Sequence, residues 1–497
     1  MKNFIDNYIL GLPVFPVLLT LAVLVGVSFL GVEPGWLQLL IVLLTTTLQA
    51  SVPYYGKISS QLVPVEAMTP GQTMALPKAV RSWLPMALVI VPALFLVHTG
   101  LAALAMVIGW LIMAPHVFRL SYRVFRRQKL RKFNLARLKE AAPQAVVYIS
   151  GLANVAYQVN QWLPVLERLP LNVLIVIRER RTAQGIDATN IPIYFARAMF
   201  DVENLYETVG ESLRVVLYPA NTMKNVQSLR HFKLQHFFIN HGESDKSVNQ
   251  SKLLMAYDKL LVGGPLAEQR LRDAGLPVRE EQIEYVGRPQ AEILLDQQSE
   301  PTPVKTILYA PTWEGFVADA DYCSVKSFGV DMVKSLIERG DYRVLLKLHP
   351  YTGHRSAEVR EAKQALQRLA AQSGQIEWLD SSLPIHECMN RSDLMLTDIS
   401  SVLNEYLVTR KPMILMNARG YASGALEKTF PSTRACYILN PDDSVVEVLE
   451  QLKGEDTKRD DRNAVRARSL SEFPEGALKQ FEQVILQAME ATPEGKH

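Results

Sequence analysis

The chain has 497 residues, which leaves room for more than one domain at about 100–200 residues per domain. Nearly half of its residues are hydrophobic, and its formal net charge of +3 is too small to indicate a nucleic acid as partner. The three cysteines, Cys323, Cys388 and Cys436, are widely separated, so their spacing indicates neither a metal site nor a disulfide framework.

The first 118 residues are mostly apolar and predict a helical membrane region of about four transmembrane helices. A helix needs about 20 apolar residues to cross the hydrocarbon core of a bilayer. Buried core helices of a globular domain are the alternative interpretation. The four apolar stretches are residues 9–31, 35–52, 83–97 and 99–116.

Basic residues predict the orientation of this region. The linker at 119–143 is rich in lysine and arginine, whereas the loop between the second and third stretches holds only Lys57, Lys78 and Arg81. Under the positive-inside rule, both ends of the region then face the cytoplasm. We therefore expect a multi-pass protein of the cell membrane with a cytoplasmic catalytic part. The basic linker either attracts anionic headgroups of the lipid bilayer or is only a stop-transfer flank.

From about residue 144, short apolar runs alternate with helical segments. Runs such as Val344-Leu345-Leu346 do not alternate with polar residues, as expected for strands that are covered on both faces. The pattern predicts an α/β protein with two doubly wound, Rossmann-like domains at 144–290 and 304–440, followed by a helical segment at 441–497. The predicted strands are 145–150, 172–177, 214–217, 236–239, 259–262, 282–286, 306–310, 343–348, 375–379, 394–397 and 413–416.

Two such domains in series place a cleft at the carboxyl ends of two sheets, where open α/β sheets bind their ligands. The first polar group at a predicted strand end is Asn240-His241-Gly242. His241 can accept a proton near neutral pH, and Gly242 lets the backbone approach a ligand closely. Lys246 follows and can offset phosphate charge. The alternative is a histidine in an ordinary turn.

Two further groups follow predicted strands of the second domain. In Ala310-Pro311-Thr312-Trp313-Glu314-Gly315, the proline and glycine bound a rigid loop, and Trp313 stacks on a base, walls the cleft or packs in the core. In Lys347-Leu348-His349-Pro350, strand alternation puts Lys347 and His349 on the same side. A lysine in so apolar a run is unfavourable to bury without a partner, which favours a functional role.

The fourth group, Thr397-Asp398-Ile399-Ser400-Ser401, precedes a predicted helix at 401–409. Its serines either cap that helix or help to form an anion site at its start. The chain contains no P-loop, GxGxxG, HExxH or CxxC pattern, so nothing indicates kinase, dehydrogenase or zinc chemistry. We therefore expect neither a metal nor a cofactor.

Taken in order, the four groups resemble the motifs of the CDP-glycerol glycerophosphotransferase family, the teichoic-acid primases and polymerases. Gly287-Arg288-Pro289 looks like the turn between the family's two domains, and Lys411-Pro412-Met413-Ile414 is similar to one of its later strands. The resemblance covers about 230–416. Three departures from the family pattern are Asn240 in place of a tryptophan, the acidic stretch Glu243-Ser244-Asp245, and Ile399 in place of a tyrosine.

The resemblance implies a GT-B fold without an obligatory metal. It also implies transfer of an alditol phosphate from CDP-glycerol or a similar CDP-alditol to a polyprenyl-linked or other membrane-linked acceptor. By the same resemblance, His241 is the general base and His349 contacts the donor diphosphate. The residues that it suggests for the donor and its phosphates are Lys347, Ser400, Ser401, Asp398, Thr312 and Trp313, with Gly242 and Lys246 as further candidates.

Two other functions stay open at this point. A GT-B glycosyltransferase that uses a nucleotide sugar shares the same fold and cleft. A non-catalytic scaffold derived from the family is the second, because Asn240 departs from the family pattern beside the proposed base. The sequence does not distinguish glycerol from another alditol, or a primase from a polymerase.

Overall fold

The computed structural model divides into two compact units. The larger unit comprises residues 144–151, 157–173 and 213–497, and the smaller unit comprises the other segments up to residue 212. The structure describes residues 127–151, 155–183, 185–246, 251–297, 302–315, 321–380 and 383–490, together with the isolated positions 36, 111, 115, 118 and 122.

Strands and helices alternate along the described chain. Strands β1 to β13 are Ala145–Ile149, Val173–Ile177, Ile193–Phe195, Val215–Tyr218, Gln235–Phe238, Lys259–Val262, Ile283–Tyr285, Thr306–Ala310, Arg343–Leu346, Ile376–Trp378, Leu394–Thr397, Met413–Met416 and Tyr437–Leu439. Helices α1 to α16 are Arg127–Ala141, Tyr157–Asn160, Leu163–Leu166, Arg180–Ala183, Met199–Val209, Val226–Leu229, Pro265–Asp273, Pro289–Leu294, Val330–Arg339, Ala357–Gln372, Ile385–Asn390, Ser401–Tyr406, Ser423–Thr429, Val445–Gly454, Arg459–Leu470 and Ala477–Glu490.

In the smaller unit, strands β2 and β3 pair in parallel, with Ile175 opposite Ile193. Helix α5 packs against α1 and turns Val202 and Leu205 inward. The Asp201 carboxylate accepts the backbone N–H of Ala198 at 2.8 Å, which satisfies a donor that would otherwise be unpaired at the start of α5.

In the larger unit, the first sheet runs β1-β4-β5-β6-β7, and each strand is parallel to its neighbour. Strand β1 pairs with β4 although β2 and β3 come between them along the chain, and this crossover is typical of a doubly wound sheet. All five residues of β1 are buried. Burial on both faces explains why its sequence does not alternate.

The second sheet has the order β10-β9-β8-β11-β12-β13, also with parallel neighbours. Along β8, Ile307 and Tyr309 face one apolar core, while Leu308 and Ala310 face another. The sheet is therefore covered on both sides, as the non-alternating runs predict. Strand order reverses between β8 and β11, so the loops after these two strands lie side by side at the carboxyl edge.

The structure contradicts the predicted membrane region of four helices. Among the residues that the structure describes, every helix is either too short or too polar to span a bilayer. Helix α10, for example, has 16 residues and carries charged side chains along its length, whereas about 20 apolar residues are needed. Apart from isolated positions, the stretches 9–31, 35–52, 83–97 and 99–116 lie outside the described residues.

Candidate active site

The loop after β5 carries His241 and is shaped by Asn240. Asn240 has a φ of +54°, in the left-handed region that asparagine tolerates better than most residues. Its side-chain Oδ1 accepts the backbone N–H of His241 at 2.8 Å, and the Trp162 indole N–H donates to its carbonyl at 2.6 Å. The residue that replaces the family's tryptophan therefore forms a tight turn just before the histidine.

A single backbone contact determines which tautomer of His241 is present. Its Nδ1 lies 2.9 Å from the carbonyl oxygen of Pro219, which can only accept, so Nδ1 carries the proton and Nε2 keeps a lone pair. Burial lowers the pKa of His241 to about 4, the Pro219 bond opposes this shift, and the charge of Arg288 adds to it. The ring is therefore neutral at pH 7. The half-exposed ring of Tyr157 meets it edge-on, with 5.7 Å between centroids.

The His241 loop packs against the start of helix α12. A Cβ built on Gly242 would lie 3.1 Å from the Cβ of Ser401. The buried guanidinium of Arg288 donates to the carbonyl of His241 at 3.3 Å and to Glu405 of α12 at 3.2 Å. The first and fourth motifs of the sequence, which are far apart along the chain, are therefore adjacent in space.

Helix α12 begins at Ser401 and continues as a 3₁₀ turn over Leu407–Thr409. Ser400 precedes it in an extended conformation and does not cap the helix with its side chain. Its Oγ is buried and has no hydrogen-bond partner among the described residues. The first N–H groups of a helix also lack intrahelical partners, so this position offers several donors to a ligand oxygen.

Asp398 lies beneath these groups rather than among them. It is fully buried, and its Oδ2 accepts the backbone N–H groups of Thr312 at 2.9 Å and Ser324 at 3.2 Å. Burial raises the pKa of Asp398 to about 7, although the hydrogen bonds from Ser324 and Thr312 and the charge of Lys246 oppose the shift. This carboxylate shapes the loops after β8 and β11, and a negative charge here is unsuited to contact a phosphate directly.

Lys246 reaches from the His241 loop to the second sheet. Its Nζ donates to Oγ1 of Thr312 at 3.0 Å and lies 5.3 Å from the centroid of the Tyr322 ring. Burial lowers the pKa of Lys246, and the charge of Asp398 partly compensates. The second motif thus contributes Thr312 to the same region as His241 and Ser401.

His349 follows β9 and belongs to an aromatic cluster. Its ring stacks on Trp313 with 5.9 Å between centroids and an interplanar angle of 15°. Its Nδ1 accepts the backbone N–H of Tyr351 at 3.1 Å, so in the neutral ring Nε2 carries the proton. Burial and the charge of Lys246 lower the pKa of His349 to about 4, and Glu314 opposes them. At pH 7 the ring is a neutral N–H donor.

Glu314 supports the loop that carries His349. It is fully buried, and its carboxylate accepts backbone N–H groups from Gly353 at 3.1 Å, Arg355 at 2.8 Å and Ser356 at 3.1 Å. Burial alone would raise the pKa of Glu314, but the backbone donors together lower it below its ordinary value. Glu314 therefore remains ionised and holds the turn that follows His349.

Lys347 is not brought into this group. Strand β9 ends at Leu346, so the alternation that would place Lys347 beside His349 does not extend to these residues. The Lys347 Nζ donates to the carbonyl of Asp380 at 2.5 Å, and burial lowers the pKa of this amine. Its amine therefore has a structural partner, which reduces its value as a donor-binding candidate.

Four residues near the histidines were not singled out from the sequence: Tyr157, Trp162, Glu314 and Glu405. Glu314 alone had a sequence signal, because it lies inside the second motif. The others reach the site through contacts between distant segments, and no local pattern identifies them. In the part of the chain that the structure describes, no three His, Cys, Asp or Glu side chains are placed to hold a metal ion.

Comparison with known proteins gives a family match over more than half of the chain. The family model described as CDP-glycerol:poly(glycerophosphate) glycerophosphotransferase matches residues 194–480. This range includes all four motifs and the carboxyl ends of strands β5, β8, β9 and β11.

Two curated relatives come from Bacillus spizizenii strain W23. Its teichoic acid ribitol-phosphate primase is 28% identical over 172 residues, which cover 32% of this chain and 40% of the relative. Its teichoic acid glycerol-phosphate primase is 21% identical over 246 residues, covering 45% and 59% respectively. The matches thus span less than two thirds of either relative. A solved structure of the wall teichoic acid polymerase TagF aligns with a TM-score of 0.49 at 14% identity, covering 76% of this chain and 98% of that chain.

Proposed function

Because this chain belongs to the CDP-glycerol:poly(glycerophosphate) glycerophosphotransferase family, we propose that it transfers an alditol phosphate from a CDP-activated donor to an acceptor hydroxyl. CDP-glycerol is the first donor to test, and CDP-ribitol is the second. The proposed acceptor is a polyprenyl-linked precursor of a teichoic-acid-like polymer. The names of the two primases support this choice of chemistry.

The observation that carries the proposal is the contact between the His241 loop and the start of α12. Ser401 lies in contact distance of the Gly242 backbone, so a proton acceptor and a group of hydrogen-bond donors share one location. The neutral Nε2 of His241 has a free lone pair in this tautomer. In the proposal, an acceptor hydroxyl at that atom attacks a phosphate bound near Ser400 and Ser401.

His349 and Lys246 complete the proposed donor site. His349 offers its Nε2–H to a phosphate oxygen, since its Nδ1 is occupied by the N–H of Tyr351. Lys246 supplies positive charge beside Thr312. Such preorganised donors stabilise the charge that spreads over the phosphoryl oxygens in the transition state.

The proposed reaction is a single in-line displacement. The acceptor oxygen forms a bond to the phosphorus that bears the alditol, while the bond from that phosphorus to the oxygen of CMP breaks. The proton of the acceptor hydroxyl passes to Nε2 of His241, and CMP leaves with the bonding electron pair. With a pKa of about 4, His241 is a weak base in the free protein. The nearby charges of a bound diphosphate would raise this pKa.

The direct test supplies the purified chain with CDP-glycerol, CDP-ribitol or UDP-N-acetylglucosamine, together with a lipid extract that contains polyprenyl-linked acceptors. Acceptor-dependent release of CMP from either CDP-alditol is the expected result. Release of UDP without CMP would identify a glycosyltransferase instead. Tight binding of a CDP-alditol with no release on any acceptor would indicate a non-catalytic scaffold.

A further inference from the structure

The acidic stretch Glu243-Ser244-Asp245, which departs from the family pattern, is turned into the protein. The side chains of Glu243 and Asp245 are only 10% and 3% exposed. Both face Arg270 of helix α7, whose Nη2 lies 2.5 Å from Asp245 and whose Nη1 lies 3.7 Å from Glu243. These carboxylates are therefore paired internally and do not add negative charge to an acceptor site.

Asp245 also bonds to the part of the chain that follows the second sheet's strand β12. Its Oδ2 accepts the backbone N–H of Ser432 at 2.9 Å. Its Oδ1 lies 3.1 Å from the Ser432 hydroxyl, whose single proton is shared with Oδ1 of Asn404 at 2.7 Å. Arg270 donates to the same hydroxyl oxygen at 2.9 Å. Both oxygens of one buried carboxylate thus hold the His241 loop to a segment 187 residues further along the chain.

Glu243 makes a second set of contacts on the other side of Ser244. Its Oε1 accepts the backbone N–H of Gly263 at 2.8 Å. Its carbonyl accepts the side-chain N–H of Asn404, a residue of α12, at 3.0 Å. The loop is therefore attached at Glu243 and at Asp245, and Lys246 is the next residue.

We propose that Asp245 is a positioning residue for Lys246. By fixing the backbone just before Lys246, it holds the lysine amine beside Thr312 at the carboxyl end of β8. The amine then lies at its donor-phosphate position before any ligand arrives, which avoids the entropy loss of ordering a free lysine. The catalytic value of this arrangement rests on the proposed function, but the arrangement itself does not.

The charge of Asp245 matters more than its shape. Asparagine has nearly the same size, but its amide N–H would face the backbone N–H of Ser432 or the Arg270 guanidinium, which are themselves donors. Arg270 would keep only the more distant carboxylate of Glu243, at 3.7 Å, and loss of its nearer charged partner is unfavourable for a buried arginine. We therefore expect Asp245→Asn to release this end of the loop without creating a cavity.

The experiment measures how fast each lysine amine is acetylated by an N-hydroxysuccinimide ester, with peptide mass spectrometry as the readout. The experiment includes a reporter lysine for the overall fold and a matched control variant. Lys411 reports loss of the overall fold, because its buried amine donates to the carbonyls of Met389, Asn390 and Ser392. Arg272→Gln is the matched control, since it breaks an exposed ion pair with Glu268 on the same helix as Arg270.

In Asp245→Asn, acetylation of Lys246 should rise about tenfold or more, as expected for the loss of charge-assisted hydrogen bonds that hold its loop. Lys411 should keep its wild-type rate, and Arg272→Gln should leave both rates unchanged. A wild-type rate at Lys246 in Asp245→Asn would overturn the proposal.

If acetylation of Lys411 also accelerates, Asp245→Glu is measured instead. It retains the charge, so a rate at Lys246 close to wild type supports the proposal, and a rise equal to that of Lys411 opposes it.

Binding of CDP-glycerol, measured by calorimetry, separates this inference from the proposed function. If the proposal holds, Asp245→Asn weakens binding by about tenfold in the wild-type background. In the Lys246→Ala background it should have little further effect, because the two residues act through one contact. Additive losses would argue for a general structural role of Asp245. Absence of binding to the wild-type protein would count against the proposed function, while the acetylation result would still decide the inference.

Discussion

His241 follows strand β5 of the first sheet, and His349 follows strand β9 of the second. Burial lowers both pKa values to about 4, so both rings are neutral at pH 7. Their hydrogen bonds differ in direction. His241 donates from Nδ1 to a carbonyl, whereas His349 accepts a backbone N–H at Nδ1. The free Nε2 is consequently a proton acceptor in His241 and a proton donor in His349.

This difference shows that residue type and pKa do not determine whether Nε2 of these histidines accepts or donates a hydrogen bond. The backbone group at Nδ1 determines it, by selecting the tautomer. The supporting shells differ as well. The His241 loop is held by Arg288, Glu405 and the Asp245 contacts, and the His349 loop by the buried carboxylate of Glu314.

The largest expected effect comes from His241→Ala. Removal of the proposed base should lower acceptor-dependent CMP release by about 10²–10⁴-fold, the usual contribution of a general base. The dissociation constant for CDP-glycerol should stay close to the wild-type value, because His241 is proposed to contact the acceptor and not the donor. The measurements are initial rates and calorimetry. Turnover close to wild type would remove His241 from the role of base.

His349→Phe should affect the donor instead. Phenylalanine retains the stacking on Trp313 but removes the Nε2–H, and a hydrogen bond to a charged group is worth about 1.5–3 kcal/mol. We therefore expect binding of CDP-glycerol to weaken by about 10–100-fold. The same titration on His241→Ala provides the control. Equal losses in the two variants would contradict the division of roles.

Glu314→Gln tests the support of the His349 loop. A glutamine has only one oxygen, so at least one of the backbone N–H groups of Gly353, Arg355 and Ser356 loses its acceptor. We therefore expect the free energy of unfolding to fall by about 2 kcal/mol. Asp321→Asn is the control, since Asp321 pairs with the side chain of Arg355 on the same loop but near the surface, where about 0–1 kcal/mol is typical. Urea denaturation measures both. Equal losses of unfolding free energy in the two variants would show that Glu314 does not support the His349 loop more than Asp321 does.

The smallest effect concerns pH. Between pH 6.5 and 4, His241 and His349 become protonated in the unfolded chain but stay neutral in the folded protein. The free energy of unfolding therefore falls as pH falls through this range. Asp398 has the opposite sign, because between pH 3.8 and about 7 the folded protein retains a proton that the unfolded chain has lost. Asp398→Asn should therefore show a steeper rise of stability from pH 4 to 6.5 than the wild type. Urea denaturation at several pH values measures this, and equal slopes would contradict these pKa shifts.

Much of the fold follows from local patterns. The predicted strands 259–262, 306–310, 394–397 and 413–416 have the bounds of β6, β8, β11 and β12. Strands β3 and β13 were not predicted, whereas β7 and β10, which are equally short, lie within the predicted strands 282–286 and 375–379. The membrane helices were predicted from apolar length alone, and no helix of the described residues supports them.

The sequence by itself proposed His241, Thr312, Trp313, His349 and the serine pair as site residues. Their types and their positions after apolar strands are local properties. Only the tertiary structure decided which groups each one contacts. Lys347 donates to a backbone carbonyl, and Asp398 is buried and accepts a backbone N–H. The acidic stretch forms an ion pair with Arg270.

The physical reason is the separation of the partners along the chain. Arg288 and Glu405 are 117 residues apart, and Asp245 and Ser432 are 187 residues apart. The tautomer of each histidine depends on a backbone group whose direction is set by the loop conformation and not by the identity of a side chain. Composition, spacing and periodicity carry no record of such contacts, so they become visible only when the two sheets are assembled.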